Sequence, residues 1–367
     1  MSTITPYYKN LDALRFLAFW GVFVSHTLTN LHFDSLPIEF LIHVLSFGYL
    51  GVPFFFTLSS FLITKQLLDE KEQRSTIGLL RFYKNRILRI WPLYFLIILI
   101  GFCIIPAIMY LLQLKPIALP ALKPFLLFYV NYYVIQHGAN FTIALLVLWS
   151  ISIEEQFYFI WAPSIKSLPT KHFPLFIGSL YLVSVGYTIY QISHQANPHN
   201  LAIDSICIVQ YFCSGAAVAF IVSKRNSLYN KLIKIHKWIW LSLYLLLPVL
   251  TFFTEVYLIK TIILCLFYFL LLFNQTNEAN AVFNFSKFRF INHLGKISYG
   301  LYMYHALAFL ASTFLYLEIQ KHLSFSETSA KLIVMAITFL STLIIAQISF
   351  KFFETPFLKL KDNYKSN

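Results

Sequence analysis

Charge is scarce in this chain. Asp, Glu, Lys and Arg make up 12% of the 367 residues, against 58% hydrophobic and 19% aromatic. Soluble domains carry about 25% charged residues, so composition alone excludes an ordinary water-soluble fold and indicates an integral membrane protein. Cysteine is also scarce. Cys103, Cys207, Cys213 and Cys265 all fall in apolar runs without CxxC spacing, which argues against a disulfide framework or a zinc site, and no metal is expected. The sequence has no Walker loop, no dinucleotide-binding glycine fingerprint and no internal repeat. No cleavable signal is expected either. The first apolar run follows polar residues, contains Arg15 and ends at Asn30-Leu31-His32 without a small-residue cleavage pattern.

Long apolar runs are abundant. Windows near 20 residues predict helices at 13–31, 40–65, 92–113, 144–163, 173–193, 202–223, 237–254, 257–273, 298–317 and 330–352. The predicted fold is an all-α, polytopic transmembrane helical bundle of about ten spans. The apolar stretch Phe125 to Gln136 is too short to span and is expected at the interface or as a re-entrant segment. Charge tests this count. With the amino terminus inside, 22 of the 28 Lys and Arg residues fall on inner segments, so both termini are expected in the cytoplasm. Attraction to anionic lipid headgroups accounts for the formal charge of +13 without nucleic acid as a partner. Only a short segment follows the last helix. Residues 1–367 are therefore expected to form a single membrane domain with no appended soluble domain.

Within these apolar runs a few ionisable residues stand out. Arg15 and His26 are eleven positions apart, hence within about 20° on one helix face and separated by about 16 Å along its axis. That puts Arg15 near one surface and His26 near mid-membrane, where an ionisable group is costly and marks a functional site by default. The competing reading is a histidine that serves only as a hydrogen-bonded link between helices. Asp12, on the turn before Arg15, is expected to orient it.

Glu154 and Glu155 lie well inside the fourth helix, too deep for a solvated charge run. Adjacent residues point about 100° apart, so one can face the bundle interior while the other finds a different partner. Arg86 and Arg89, at i and i+3 on the basic entrance to the third helix, present guanidinium forks to one face. Such a face suits a phosphorylated ligand arriving from the cytoplasm; the competing reading is a lipid-headgroup anchor. Ser298, Tyr302 and His305 share a face of the ninth helix, as a buried polar site or as polar links between helices. Pro53, in Gly51-Val52-Pro53, is expected to kink the second helix.

Taken in order, these segments resemble the acyltransferase-3 family of membrane acyltransferases, whose bacterial members O-acylate surface polysaccharides. The resemblance rests on Leu11-Asp12-x-Leu14-Arg15 with His26, the Gly51 to Ile63 and Arg86 to Pro92 stretches, and Trp149-Ser150 followed by Glu154-x-Gln156-Phe157-Tyr158. It continues in Ile297-Ser298-Tyr299-x-Leu301-Tyr302-x-x-His305 and in Phe353-Glu354-Thr355-Pro356, so it runs almost end to end. The chain departs from the family pattern at Phe16 and Ser60, where glycine is usual.

The resemblance implies an O-acyltransferase that moves an acyl group, with acetyl as the expected group, from acyl-coenzyme A to a hydroxyl of a cell-surface or lipid-linked glycan. It implies Arg15 and His26 as the pair required for transfer and Arg86 and Arg89 as contacts to the coenzyme A phosphates. His26 is then general base or acyl carrier. Glu154 either orients the imidazole or contacts the sugar hydroxyls, and Glu155 is secondary. Membrane lipids and a saccharide acceptor are the implied partners, and the bacterial cytoplasmic membrane is the implied location. A secondary transporter using His26, Glu154 and His305 as a proton relay is the rival reading, and it would call for an internal symmetry that the sequence does not display.

Overall fold

The computed structural model describes residues 7–28, 47–277, 281–322 and 327–362, and these are helical with no strand among them. All ten predicted positions carry helices: α1 Lys9–Leu28, α2 Gly51–Arg74, α3 Leu79–Leu99, α4 Leu148–Ser167 and α5 Phe173–Ser193. They continue as α6 Ser205–Lys224, α7 Lys237–Phe252, α8 Tyr257–Thr276, α9 Ser298–His322 and α10 Glu327–Ser349. Seven of the described helical runs are long and apolar enough to cross a membrane, which defines an all-α polytopic bundle. Three of the ten stand outside those seven: α1, which carries Lys9, Asp12 and Arg15, α7, which has 16 residues, and α9. The Phe125 to Gln136 stretch forms two short helices, Lys123–Leu126 and Val130–His137.

Burial runs opposite to that of a soluble protein. On α5, Leu175, Leu182 and Val183 are exposed while Ser184 and Thr188 are buried; on α10, Leu340 and Ile344 are exposed while Thr338 and Thr342 are buried. Lipid solvates the apolar faces, and small polar residues link helices inside.

The predicted boundaries shift most at the second and third helices. The second helix begins at Gly51, after a 3-10 turn at Phe47–Leu50, and residues 29–31 and 40–46 of the predicted first and second helices lie outside the described residues. Pro53 therefore does not kink a helix interior. It occupies the first turn, where its missing N–H forfeits no intrahelical bond. The third helix begins at Leu79 rather than near 92: Pro92, between the basic segment and the apolar run, stands inside the helix and does not start it. The helix continues through a π-helical segment, Ile100–Ile104, into Ile105–Leu111.

The chain divides into two compact units. One comprises Met1–Ala18, Leu50–Gly78 and Ile153–Gly295. Within it α2 packs along α6, and α6 against α5 and α8. Gly215 brings α6 onto α2, since a Cβ there would collide with the Thr57 carbonyl, and nearby the Ser60 hydroxyl donates to the Phe212 carbonyl at 2.6 Å. The other unit comprises Phe19–Tyr49, Leu79–Ser152 and Lys296–Asn367. Here α9 packs along α10, the Ser312 and Thr338 hydroxyls meet at 2.5 Å, and Tyr299 donates to the Ile90 carbonyl of α3 at 2.8 Å.

Candidate active site

In the second unit His26 is met by a second histidine, His305. Seven residues separate Phe19 from His26 on α1, two helical turns, so both share a face. His305 of α9 meets that face. Its ring stands edge-on to Phe19, with centroids 6.0 Å apart, and lies nearly parallel to the His26 ring with His26 Nδ1 2.9 Å from its Nε2. His305 is 1% exposed, whereas His26 is half-buried and so reachable from one side.

Hydrogen-bond bookkeeping fixes the protons of a neutral pair. His305 Nδ1 contacts the Tyr302 carbonyl, which can only accept, so Nδ1 carries the hydrogen and His305 Nε2 offers a lone pair. His26 Nδ1–H then donates to that lone pair, and His26 Nε2 is left as the basic nitrogen. Tyr302 is itself braced. Its hydroxyl meets Ser150 Oγ at 2.8 Å, and both hydroxyls lie within hydrogen-bond distance of the Val147 carbonyl, Ser150 at 3.1 Å and Tyr302 at 3.4 Å. The Trp149-Ser150 and Tyr302-x-x-His305 segments are thereby joined in one buried chain that ends at His26.

At the start of α3, the Arg86 guanidinium lies over the Phe82 ring, 5.6 Å from its centroid. Arg89 is exposed and is an electrostatic neighbour of Glu354. Glu354 closes a π-helical segment, Phe350–Glu354, is buried, and accepts from the Ser349 hydroxyl at 3.2 Å; Tyr304 donates to the same Ser349 oxygen at 2.9 Å. Gly300 makes room for it, because a Cβ would stand 3.0 Å from a Glu354 carboxylate oxygen. Ser298, at the start of α9, is buried.

Arg15 and Glu154 belong to the first unit. Asp12, 1% exposed, accepts from the Arg15 guanidinium at 2.5 Å and from the Tyr7 hydroxyl, so it holds Arg15 as expected. The close approach of Gly295 to the Asp12 backbone carbonyl leaves no space for a side chain there. Burial, then the hydrogen bond to Asp12, raises the Tyr7 phenol above its ordinary pKa. Glu154 accepts from Tyr158 at 2.8 Å, and since that phenol proton is committed, Ser59 donates to the Tyr158 oxygen at 2.5 Å. Gln156 accepts from Ser205 at 2.6 Å, and Glu155 is half-buried. No group of three or more His, Cys, Asp or Glu side chains suited to a metal ion occurs among the described residues.

The structure thus joins His26, Tyr302 and His305, and separately Arg15 with Asp12. Sequence reasoning missed the contact between His26 and His305, which lie 279 positions apart, and the chain from Tyr304 through Ser349 to Glu354. For the latter a signal existed in the Phe353-Glu354-Thr355-Pro356 segment. For the former, period alone places both histidines on inward faces without saying that those faces meet.

A polytopic helical membrane protein with paired imidazoles among its spans and arginines at a helix entrance is the class these features define. Comparison narrows it. The chain belongs to the acyltransferase-3 family, whose profile, described as an acyltransferase domain, matches residues 8–350. It is similar to an O-acetyltransferase OatA of Staphylococcus aureus, 26% identical over 377 residues, covering 96% of this chain and 57% of the relative. It is also similar to a peptidoglycan O-acetyltransferase OatA of Listeria monocytogenes, 27% identical over 383 residues, covering 96% of this chain and 56% of the relative. The chain thus spans little more than half the length of these curated relatives. No solved structure matches it.

Proposed function

We propose that the chain is a membrane-bound O-acyltransferase, acting as a single domain with both termini cytoplasmic, that moves an acetyl group from acetyl-coenzyme A to a hydroxyl of a cell-surface or lipid-linked glycan. The observation that carries this reading is the half-buried His26 with its Nδ1 hydrogen committed to His305 and its Nε2 basic. Two relatives named as O-acetyltransferases, one of peptidoglycan, support the reaction class and the acceptor class.

His26 is the general base. Its Nε2 takes the proton from the acceptor hydroxyl as the oxygen attacks the thioester carbon, and the proton passes to the sulfur as the carbon–sulfur bond breaks. The donor supplies the activated acyl group. The residues fit its phosphates, since Arg86, braced on Phe82, and the exposed Arg89 offer planar donor forks at the cytoplasmic entrance of α3. Arg15, held by buried Asp12, supplies a further fixed cation for the donor. Glu154, with its Tyr158 and Ser59 chain, is assigned to the acceptor's hydroxyls, as a carboxylate that can accept several hydrogen bonds.

The test is coenzyme A release from labelled acetyl-coenzyme A by the purified protein in lipid, with a panel of glycan acceptors, wild type against His26→Ala. Acceptor-dependent release lost in the variant is expected. Release that persists in His26→Ala would sink the role of His26. Proton-coupled flux into vesicles without any acetyl transfer would replace an enzyme with a transporter.

A further inference from the structure

We propose that His305 is the positioning residue of His26, setting its tautomer and ring orientation through the Tyr302 main-chain carbonyl, so that the base is a neutral imidazole pair. This rests on the reading of His26 as the base.

The geometry supports the inference at each link. The Tyr302 carbonyl can only accept, so it fixes a hydrogen on His305 Nδ1. His305 Nε2, 2.9 Å from His26 Nδ1, must then accept, and a near-parallel ring, 10° from coplanar in orientation, aims its in-plane lone pair at His26. Free imidazole side chains favour the opposite tautomer, with hydrogen on Nε2, and in that form His26 would present a donor to the acceptor hydroxyl instead of a base. His305 therefore does for His26 what an aspartate does in a serine-hydrolase triad.

The choice of a neutral partner follows from the solvent. A carboxylate beside His26 would require a buried anion among membrane-length helices, which is costly, whereas an imidazole accepts the same hydrogen bond uncharged. The cost is weaker stabilisation of the imidazolium that forms when His26 takes the acceptor's proton. The pair eases this in one way. The Nδ1 proton of protonated His26 can be shared with His305 Nε2, and the charge then spreads toward the Tyr302 carbonyl, while the acceptor's proton stays on His26 Nε2 until it leaves with sulfur. The ring is held in place by Phe19 edge-on and by Tyr302 with its centroid 5.5 Å away, and Tyr302 is anchored by Ser150.

The test compares His305→Phe and His305→Gln with wild type and His26→Ala in the full chain in lipid. Phenylalanine keeps the shape and removes both nitrogens, and kcat is expected to fall on the order of 10²- to 10⁴-fold with KM for acetyl-coenzyme A unchanged. Glutamine can accept from His26, so it should recover at least about tenfold of the loss. Nitrogen-15 spectra of histidine-labelled protein, with the His26 signals assigned by their loss in His26→Ala, supply a readout that a packing role would not move. Wild type should show His26 protonated at Nδ1, and His305→Phe should show a shift to Nε2. Wild-type kcat in His305→Phe, or an unchanged His26 tautomer, overturns the proposal. Acceptor-dependent release that persists in His26→Ala instead overturns the underlying reading, whatever His305 does.

Discussion

Gly215→Ala should destabilise the protein although alanine is the better helix former. A Cβ at 215 would lie within bonding range of the Thr57 carbonyl oxygen and 2.9 Å from the Phe61 nitrogen, both backbone atoms of α2 that no rotamer change can remove. The two helices must separate, at an overpacking cost of about 1–3 kcal/mol. Separation also strains the buried bond from Ser60 to the Phe212 carbonyl, worth about 1 kcal/mol. Against this stands about 1 kcal/mol of helix propensity gained from glycine to alanine. The balance is a loss of about 1–3 kcal/mol. Gly178→Ala is the matched control: Gly178 lies within α5, and nothing lies within 4 Å of a Cβ built there, so only the propensity gain remains. Unfolding in mixed detergent followed by tryptophan fluorescence measures both. Gly178→Ala should match or exceed wild type and Gly215→Ala should fall below it. If Gly215→Ala proves as stable as Gly178→Ala, α2 and α6 are not in backbone contact and the packing of this unit is wrong.

Two further expectations test the neighbourhoods of the proposed residues. Tyr302→Phe removes a hydroxyl bond to Ser150 but leaves the carbonyl that binds His305, so unfolding should show a loss of about 1 kcal/mol while kcat stays within a few-fold of wild type; a collapse of kcat would show that the side chain rather than the carbonyl supports the histidines. Tyr7 binds its proton more tightly when folded, because of burial and Asp12, so its contribution is present in full below about pH 10 and is lost as pH climbs from there through the raised folded value. Tyr7→Phe should therefore flatten part of the alkaline fall in stability, and an unchanged pH profile would exclude the Tyr7–Asp12 link.

How much of this was legible in the sequence depends on the range of the interaction. The helices were legible because each is a local run whose apolarity is set by the lipid. The Asp12–Arg15 pair was legible because three positions on a helix make neighbours by construction. Pro53 was misread because a proline in an apolar run fits a kink and a helix start equally well, and what decides is where the preceding turn ends. His26 and His305 were each identified as inward-facing ionisable residues. Their contact was not legible, because it depends on how α1 and α9 pack, and helical period carries no information about which faces meet. Glu154 was open between two roles for the same reason, and its hydrogen bond to Tyr158, four positions on, is again a helical neighbour.

The arginine face carries the last prediction. Arg89 is exposed, and a long exposed side chain gives up about 1.5–2 kcal/mol of rotamer freedom when it is fixed on a ligand. A buried carboxylate beside it can fix it beforehand. Glu354 is suited to that: it is held by the Ser349 hydroxyl, seated against Gly300, and presented by a π-helical segment, a feature that recurs where helices serve function. Glu354→Gln keeps the shape and the acceptor for Ser349 and removes only the charge. If Glu354 orients Arg89 for the donor's phosphates, KM for acetyl-coenzyme A should rise about two- to fivefold, the scale of an exposed ion pair, with kcat unchanged. Dephospho-coenzyme A as competitor should then distinguish wild type from variant less well than coenzyme A does, if the 3′-phosphate is the group Arg89 meets. The opposite sign is informative as well. A fall in KM would mean that charge on Glu354 repels the polyanionic donor and that Arg89 is restrained by it rather than prepared.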